Sequence, residues 1–420
     1  MKIINIKGFP VYVVPENRFK TCRFNLEFIL KYDKNHAMTR LILTNLLSKS
    51  SGRFPNEEDF SYELERLYRS SDYCSLTTIG TTQVISFETK HINPKFLHED
   101  VNLLKENLDF LADMLYNPSL TEEKLQKEKD LLITTIKNSK SNKVKMSGAY
   151  FINALMKHEP TYEYVINLEK EIKKVTLEDL YNELELIKSS DCMACCLGEF
   201  DEESLVRVLN TMPFEKLHSF TNDGTYFTRT SIFHHPRKVK YIEDSYVGPQ
   251  SLIYIGYRQS KPIPEDEVLA ANILCDLVGG NSDSDLFTII REKMGLCYSI
   301  RSSLTTRYGN FIIQAGITPG KEEEAIKAIV DIYDKYKKGD IDEKLLELNK
   351  KLAINTLNYA NDTETAHLRE YVNIQFGLPN PTEEERIKKI NDLTVEDMKK
   401  AANCFMLDTI YILRGEACKK

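Results

Sequence analysis

Two stretches of this chain, separated by 218 to 220 positions, carry the same succession of signals, and that long-period repetition limits the possible folds more than any local pattern does. "VTLEDL" at 175–180 returns as "LTVEDM" at 393–398, so Thr176 corresponds to Thr394 at an offset of 218. In both copies the threonine is placed to cap a helix, with an acid in the first turn opposing the helix dipole. Each copy then runs into an apolar strand ending in Gly-Glu, "CMACCLGE" at 192–199 and "DTIYILRGE" at 408–416. Upstream, "EEKLQKEKDLLITTIKN" at 122–138 returns as "DEKLLELNKKLAINTLN" at 342–358, where Lys124 corresponds to Lys344 at an offset of 220. Further upstream, "LILTNLLSKSS" at 41–51 lies opposite "NILCDLVGGNS" at 272–282.

Each half therefore reads as strand, two helices, two strands, several helices and a final strand. The strand runs are 22–30, 73–79, 83–89 and 191–198 in the first half, and 250–257, 296–304, 310–317 and 409–415 in the second. Strands grouped early, helices between and one strand last predict an α+β class. The expected architecture is two homologous domains from an internal duplication, each a mainly antiparallel sheet covered by helices on one face. The domains are expected at 1–215 and 241–420. The polar stretch 216–240, "KLHSFTNDGTYFTRTSIFHHPRKVK", is the expected linker.

Length supports two domains: 420 residues exceed one ordinary core. With 42% apolar and 28% charged residues, the composition is that of a folded globular chain. A net charge of −7 with both signs interspersed offers no basic stripe, which argues against a nucleic-acid partner. The N-terminal "MKIINIKGFPVYVVPENRFKT" is interrupted by Pro10, Pro15 and charges, so neither a signal peptide nor a membrane segment is expected there, and a cytoplasmic location is. Nine scattered cysteines fit reduced thiols better than a disulfide framework.

Catalytic motifs are scarce. A zinc hydrolase needs several His, Cys or carboxylate ligands converging on one ion, two of them usually at i and i+4 of a helix. None of the eight histidines (His36, His91, His98, His158, His218, His234, His235 and His367) has another four residues away, and neither H-E-x-x-H nor H-x-x-E-H occurs. In "HEPTY" at 158–162, Pro160 interrupts the helical face and the second histidine is missing. The C-x-x-C within "CMACC" (192–196) sits in an apolar strand with no second pair, so it reads as buried strand cysteines. No G-x-S-x-G elbow, P-loop or dinucleotide fingerprint is present. Gly279 and Gly280 read as a helix end, with Ser282 or Ser284 capping the next helix.

One stretch is specific. "NSDSDLFTIIREKMGLCYSIRSSLTTRYGNFIIQAGITP" at 281–319 resembles the C-terminal-domain signature of the insulinase/pitrilysin superfamily, the inverzincin peptidases that include mitochondrial processing peptidase. The matching positions are Ser284, Leu286, Phe287, Arg291, Glu292, Gly295, Leu296 and Tyr298. The resemblance implies a LuxS/MPP-like metallopeptidase fold over nearly the whole chain, with a zinc motif H-x-x-E-H in the first half and a further glutamate on a later helix. By repeat order those positions fall on Leu41, Thr44 and Asn45, and on Thr134 or Thr135. None of these is a zinc ligand, and residues 37–90 contain no histidine.

In the family, the C-terminal-domain arginine and tyrosine hold the scissile peptide. The resemblance thus implies that Arg291 and Tyr298 bind the substrate carbonyl. A structural role is the alternative, with Arg291 at a helix C-terminus and Tyr298 packing on it. The implied function is the non-zinc subunit of a heterodimeric zinc metallopeptidase. A homologous H-x-x-E-H-bearing subunit would supply the zinc, this chain would hold no cofactor, and a peptide would be the substrate. The rival is a non-catalytic peptide-binding or scaffold homodimer of the same fold. A peptidase with an unrelated active site has no motif to support it.

Overall fold

The computed structural model describes residues 1–98, 101–157, 159, 168–222, 238–261, 263, 267–305 and 309–416. The chain forms two compact units. One comprises Met1–Ile136, Glu163–Thr228 and Thr363–Leu378, the other Lys137–Tyr162, Arg229–Asp362 and Pro379–Lys420. Each unit thus takes one segment from the opposite half of the sequence.

The first unit is built on strands β1 (Lys2–Ile6), β2 (Phe9–Pro15), β3 (Thr21–Lys31), β4 (Ser71–Ile79), β5 (Thr82–Ile92), β6 (Asp191–Gly198) and β7 (His218–Ser219). Their order is β1-β2-β6-β3-β5-β4, with β7 beside β6. β2 and β7 run parallel to β6, and the other pairs are antiparallel. Alternation along β3 sets the two faces of the sheet. Phe24, Leu26, Phe28 and Leu30 point into the core with Ile42, Leu43 and Leu46 of helix Lys34–Leu47, Leu108 and Met114 of helix Leu103–Tyr116, and Leu180 and Leu184 of helix Leu177–Lys188. Phe28 is fully enclosed and meets Phe87 edge-on at 5.9 Å. Burying such a ring contributes about 1.5–3 kcal/mol.

The second unit is built on β8 (Lys240–Val247), β9 (Ser251–Gln259), β10 (Cys297–Thr305), β11 (Asn310–Ile317) and β12 (Phe405–Glu416), in the order β10-β11-β9-β12-β8. β12 is parallel to β8 and antiparallel to β9. The central order of the first sheet, β4-β5-β3-β6-β2, recurs here strand for strand. The α+β class and the early-strand, late-strand pattern are as expected. Thr176 and Thr394 both close capping boxes, with Asp179 and Asp397 as reciprocal partners.

Beyond the helices that cover one face, each sheet carries a helix on the other. Helix Glu364–Gln375 brings Leu368, Tyr371 and Val372 against Tyr12, Met193 and Cys195 of the first sheet. Helix Lys143–Leu155 brings Phe151 and Leu155 against Tyr254, Tyr411 and Leu413 of the second.

Strands β1, β2, β7 and β8 are absent from the sequence expectation. Two prolines are accommodated in β2, Pro10 beside the hairpin turn and Pro15 at the end of the strand. The two-residue turn Lys7-Gly8 has positive φ at both positions (52° and 89°), the geometry that matches strand twist in a tight hairpin. Within the expected linker 216–240, β7 occupies 218–219 and β8 starts at Lys240, while 223–237 lie outside the described residues.

The serine cap is corrected. The Ser284 hydroxyl donates to the Asn281 carbonyl (2.6 Å) instead of accepting from the helix, and Asn281 Oδ1 takes the Asp283 N–H (3.0 Å). Gly279 does sit at the expected helix end, in the π-type segment Asp276–Gly280. A Cβ there would stand 2.9 Å from both Leu286 Cδ1 and the Ser302 nitrogen, so a larger residue would push this segment off β10.

Candidate functional site

Helix Lys34–Leu47 begins at Asp33, whose side chain accepts from the Asn35 N–H. Its core-facing residues fix which way 41, 44 and 45 point. Leu41 packs against the first unit's core. Thr44 is 2% exposed, and its hydroxyl donates to the Arg40 and Leu41 carbonyls (3.0 Å each), so it is used within its own helix. Asn45 Nδ2 donates to Glu128 Oε1 at 2.8 Å. Lys49, one turn on, donates to Glu128 Oε2 at 2.6 Å. Glu128 belongs to helix Glu122–Lys140 and is 4% exposed. Thr134 and Thr135 lie farther along that helix on its exposed side, and Thr135 Oγ1 donates back to the Leu131 carbonyl.

The fold therefore brings Asn45 and the buried carboxylate of Glu128 together, but leaves Thr134 and Thr135 outside. These residues do not fit a zinc ion. Leucine, threonine and an asparagine amide offer no zinc-ligating group, and the one carboxylate is neutralised by an ammonium. Among the described residues, no group of three or more His, Cys, Asp or Glu is arranged to hold a metal. Sequence reasoning missed Glu128 and Lys49. Both sit inside the segments it aligned, but only the crossing of the two helices pairs them. Beside them lies a cavity of about 500 Å³ lined by Lys49, Ser50, Lys124, Glu128 and Leu131. Lys124 donates to Ser119 Oγ (2.6 Å), the Ser119 carbonyl (2.8 Å) and Ser50 Oγ (3.0 Å), and burial holds its pKa below the usual lysine value.

In the second unit, Arg291 lies in the last turn of the π-type segment Leu286–Lys293 and Tyr298 is the second residue of the edge strand β10. Gly295, at φ 62°, turns the chain between them, and Leu296 and Cys297 anchor it in the core. The Arg291 guanidinium carbon lies 4.3 Å from the Phe287 ring centroid and 5.9 Å from that of Tyr298. Its Nε is 3.8 Å from Glu292 Oε1. Tyr298 is 81% exposed. Two aromatic rings thus hold a cation beside a solvent-facing phenol, an arrangement able to donate hydrogen bonds to a carbonyl oxygen. Ser284 and Leu286, from the same signature, are fully buried and structural.

Other signals resolve as packing. Cys192, Cys195 and Cys196 are buried in β6, and burial raises all three thiol pKa values, leaving no thiolate for redox or metal chemistry. His91 is 2% exposed and burial depresses its pKa. His36 bonds to Glu183 through Nδ1; Glu183 also accepts from Arg40 Nε (2.7 Å), a buried pair the sequence did not announce. His158, His234 and His235, and with them most of the 158–162 stretch, lie outside the described residues. No helix among the described residues is long and apolar enough to cross a membrane.

Comparison with known proteins agrees with this geometry. The family described as "Peptidase M16 inactive domain" matches residues 174–352. The chain is 25% identical over 419 residues to the probable inactive metalloprotease YmfF of Bacillus subtilis (strain 168), covering 97% of this chain and 96% of that one. A solved structure of a conserved protein from Enterococcus faecalis V583 superposes with a TM-score of 0.84 at 23% identity, over 99% of this chain and 98% of that one. The peptidase M16 inactive domain from Pseudomonas fluorescens superposes with a TM-score of 0.75 at 16% identity, over 100% and 99%. The Arg291–Tyr298 signature lies inside residues 174–352, which match the M16 inactive-domain family, and the chain along nearly its whole length is similar to a probable inactive metalloprotease.

Proposed function

We propose that this protein is the non-zinc subunit of a two-chain zinc metallopeptidase that processes peptides. A homologous chain carrying H-x-x-E-H holds the metal. This chain contributes Arg291 and Tyr298, which donate to the substrate carbonyl as negative charge develops on its oxygen. The observation that carries the reading is the contrast between the two sites. The positions that the resemblance assigns to the metal hold Leu41, Thr44 and Asn45, with Glu128 tied to Lys49, while Arg291 is stacked on Phe287 next to an exposed Tyr298. A chain that had kept only its fold would have no need of an 81% exposed tyrosine beside an aromatic-stacked arginine.

The test is affinity purification of the full chain from its own host, followed by metal analysis and peptidase assay of the isolated chain and of the copurified complex. The expected result is a partner of similar length bearing H-x-x-E-H, with zinc and activity in the complex only. Zinc-dependent cleavage by the isolated chain would overturn the reading. Recovery of a homodimer with no homologous partner would favour the peptide-binding scaffold.

A further inference from the structure

The cavity beside Glu128 is built around a lysine whose charge no carboxylate answers. Lys124 lies in the first turn of helix Glu122–Lys140, and its ammonium reaches back past the helix start to Ser119 Oγ (2.6 Å), the Ser119 carbonyl (2.8 Å) and Ser50 Oγ (3.0 Å). Its three N–H groups are thus taken up, but by neutral oxygens. The neighbouring cation Lys49 is already matched with Glu128 at 2.6 Å. Among the described residues neither Lys124 nor Lys127 makes an ion pair. Burial lowers the Lys124 pKa against a smaller opposing effect of Glu123, as expected of a cation short of counter-charge.

The oxygens that hold Lys124 have protons to give. Ser119 Oγ accepts from the ammonium, and Thr121 Oγ1 accepts from the Lys124 backbone N–H at 3.3 Å, so the hydroxyl hydrogens of both are left for another acceptor. The Ser50 hydroxyl reaches the Ser119 carbonyl only at 3.5 Å, the outer limit of a hydrogen bond. A cation ringed by hydroxyl donors recognises an anion. The other end of the cavity is apolar. Leu131 stands two turns along the helix from Lys124, about 10 Å away at a rise of about 1.5 Å per residue, and Leu46 and Pro55 line the same space. Thr121, Glu123 and Lys127 on the rim are exposed, so the cavity opens to water.

We propose that this cavity of about 500 Å³ binds a monocarboxylate with an apolar chain, its carboxylate on Lys124 and the Ser119 and Thr121 hydroxyls, its chain along Leu46 and Leu131. The volume is that of a small-molecule pocket. The site lies wholly within the first unit and does not depend on a zinc-bearing partner. A neutral ligand would leave Lys124 without counter-charge. A phosphate dianion would meet Glu57 and Glu123, which line the same cavity, whereas one negative charge suits the one ammonium at the hydroxyl end. Glu128 faces the ligand already neutralised by Lys49. A free fatty acid and the carboxyl terminus of a peptide ending in an apolar residue offer this same chemistry.

The test is isothermal titration calorimetry on the full chain at pH 7 with octanoate, its neutral counterpart octanamide and inorganic phosphate. Two acetylated tetrapeptides ending in leucine, one a free acid and one an amide, form the peptide arm. The wild type is expected to bind octanoate at least tenfold more tightly than octanamide. Lys124→Met should bring octanoate down to the octanamide level, and Ser119→Ala should weaken octanoate about threefold. Leu131→Gln changes an exposed residue and so keeps the proposal testable should Lys124→Met fail to fold; it should weaken octanoate and octanamide alike, about threefold. Equal wild-type affinity for octanoate and octanamide, a charge preference that survives Lys124→Met, or an octanoate affinity untouched by Leu131→Gln would overturn the site. Phosphate binding more tightly than octanoate would overturn the monocarboxylate. A free-acid peptide that outbinds octanoate while its amide does not would support the site and assign it to a peptide carboxyl terminus; the reverse order would support it and assign it to a fatty acid. Absence of binding by any carboxylate would overturn the site and leave the metallopeptidase reading untouched.

Discussion

The side-chain amide of Asn45 donates to Glu128 Oε1 at 2.8 Å, and Lys49 holds the other carboxylate oxygen at 2.6 Å. This three-residue link joins the helix that would bear the zinc motif to the helix that would supply the further ligand. An ammonium thus takes the part of counter-charge to the buried carboxylate.

That pairing predicts an ordering of variants. Lys49→Ala leaves Glu128, at 4% exposure, as a buried carboxylate with only an amide partner, whereas Glu128→Gln removes the buried charge and keeps an acceptor oxygen for one of the two donors, with Lys49 itself one-third exposed to water. Lys49→Ala should therefore cost about 2 kcal/mol in urea denaturation, and Glu128→Gln about 1 kcal/mol or less. The reverse order would mean that the ammonium does not compensate the carboxylate.

Arg40 and Glu183, at 3% and 2% side-chain exposure, form a second buried pair, with Arg40 also donating to the Lys31 carbonyl and Gln83 Oε1. Breaking such a pair by Arg40→Met should destabilise the first unit by about 3 kcal/mol, since it leaves the buried carboxylate with the His36 ring alone. Adding Glu183→Leu should recover much of that loss. An additive double variant would show that the two charges are not coupled.

Stability should also fall with pH in a definite window. The Glu27 and Asp72 carboxyls are both held up to about 7 in the folded chain, chiefly by burial. A carboxyl with a raised folded-state pKa binds its proton more readily in the folded chain. Its contribution is therefore fully present below the unfolded value near 4 and is lost as pH rises through 7. The first unit should lose on the order of 2–3 kcal/mol per group between pH 4.5 and 8. Glu27→Gln should flatten its share of the slope, read from urea midpoints across that range; an unchanged slope would contradict it.

Legibility in the sequence followed the strength of local physics. The pairs Thr176/Asp179 and Thr394/Asp397 announced their helices because a capping box is a contact within four residues. The strands β6 and β11 were found from continuous apolar runs. Strand β2 is short and carries Pro10 and Pro15, which the sheet accommodates beside a hairpin turn and at the strand end. On the site side, the signature carrying Arg291 and Tyr298 is nearly contiguous, and so it was visible. Glu128 and Lys49 were not, because their significance comes from which side chains the fold lays beside them. The same holds for Glu27, whose raised carboxyl depends on burial between β5 and β6 and on Glu88 of β5.

The composite-site proposal makes the last prediction. In the reconstituted two-chain enzyme, Tyr298→Phe removes one donor to the developing oxyanion and should lower kcat by about 10²- to 10³-fold with little change in KM. Arg291→Ala also removes fixed positive charge and backbone contacts, so kcat/KM should fall at least as far, with KM rising. Phe287→Ala distinguishes this from a packing role. It leaves the guanidinium present but removes the ring 4.3 Å from it, a contact worth about 0.5–1 kcal/mol, and so should cost only three- to fivefold in kcat/KM. If Tyr298→Phe and Arg291→Ala leave the kinetics unchanged while lowering the melting temperature, the pair serves β10 and its helix, and the substrate carbonyl is held elsewhere.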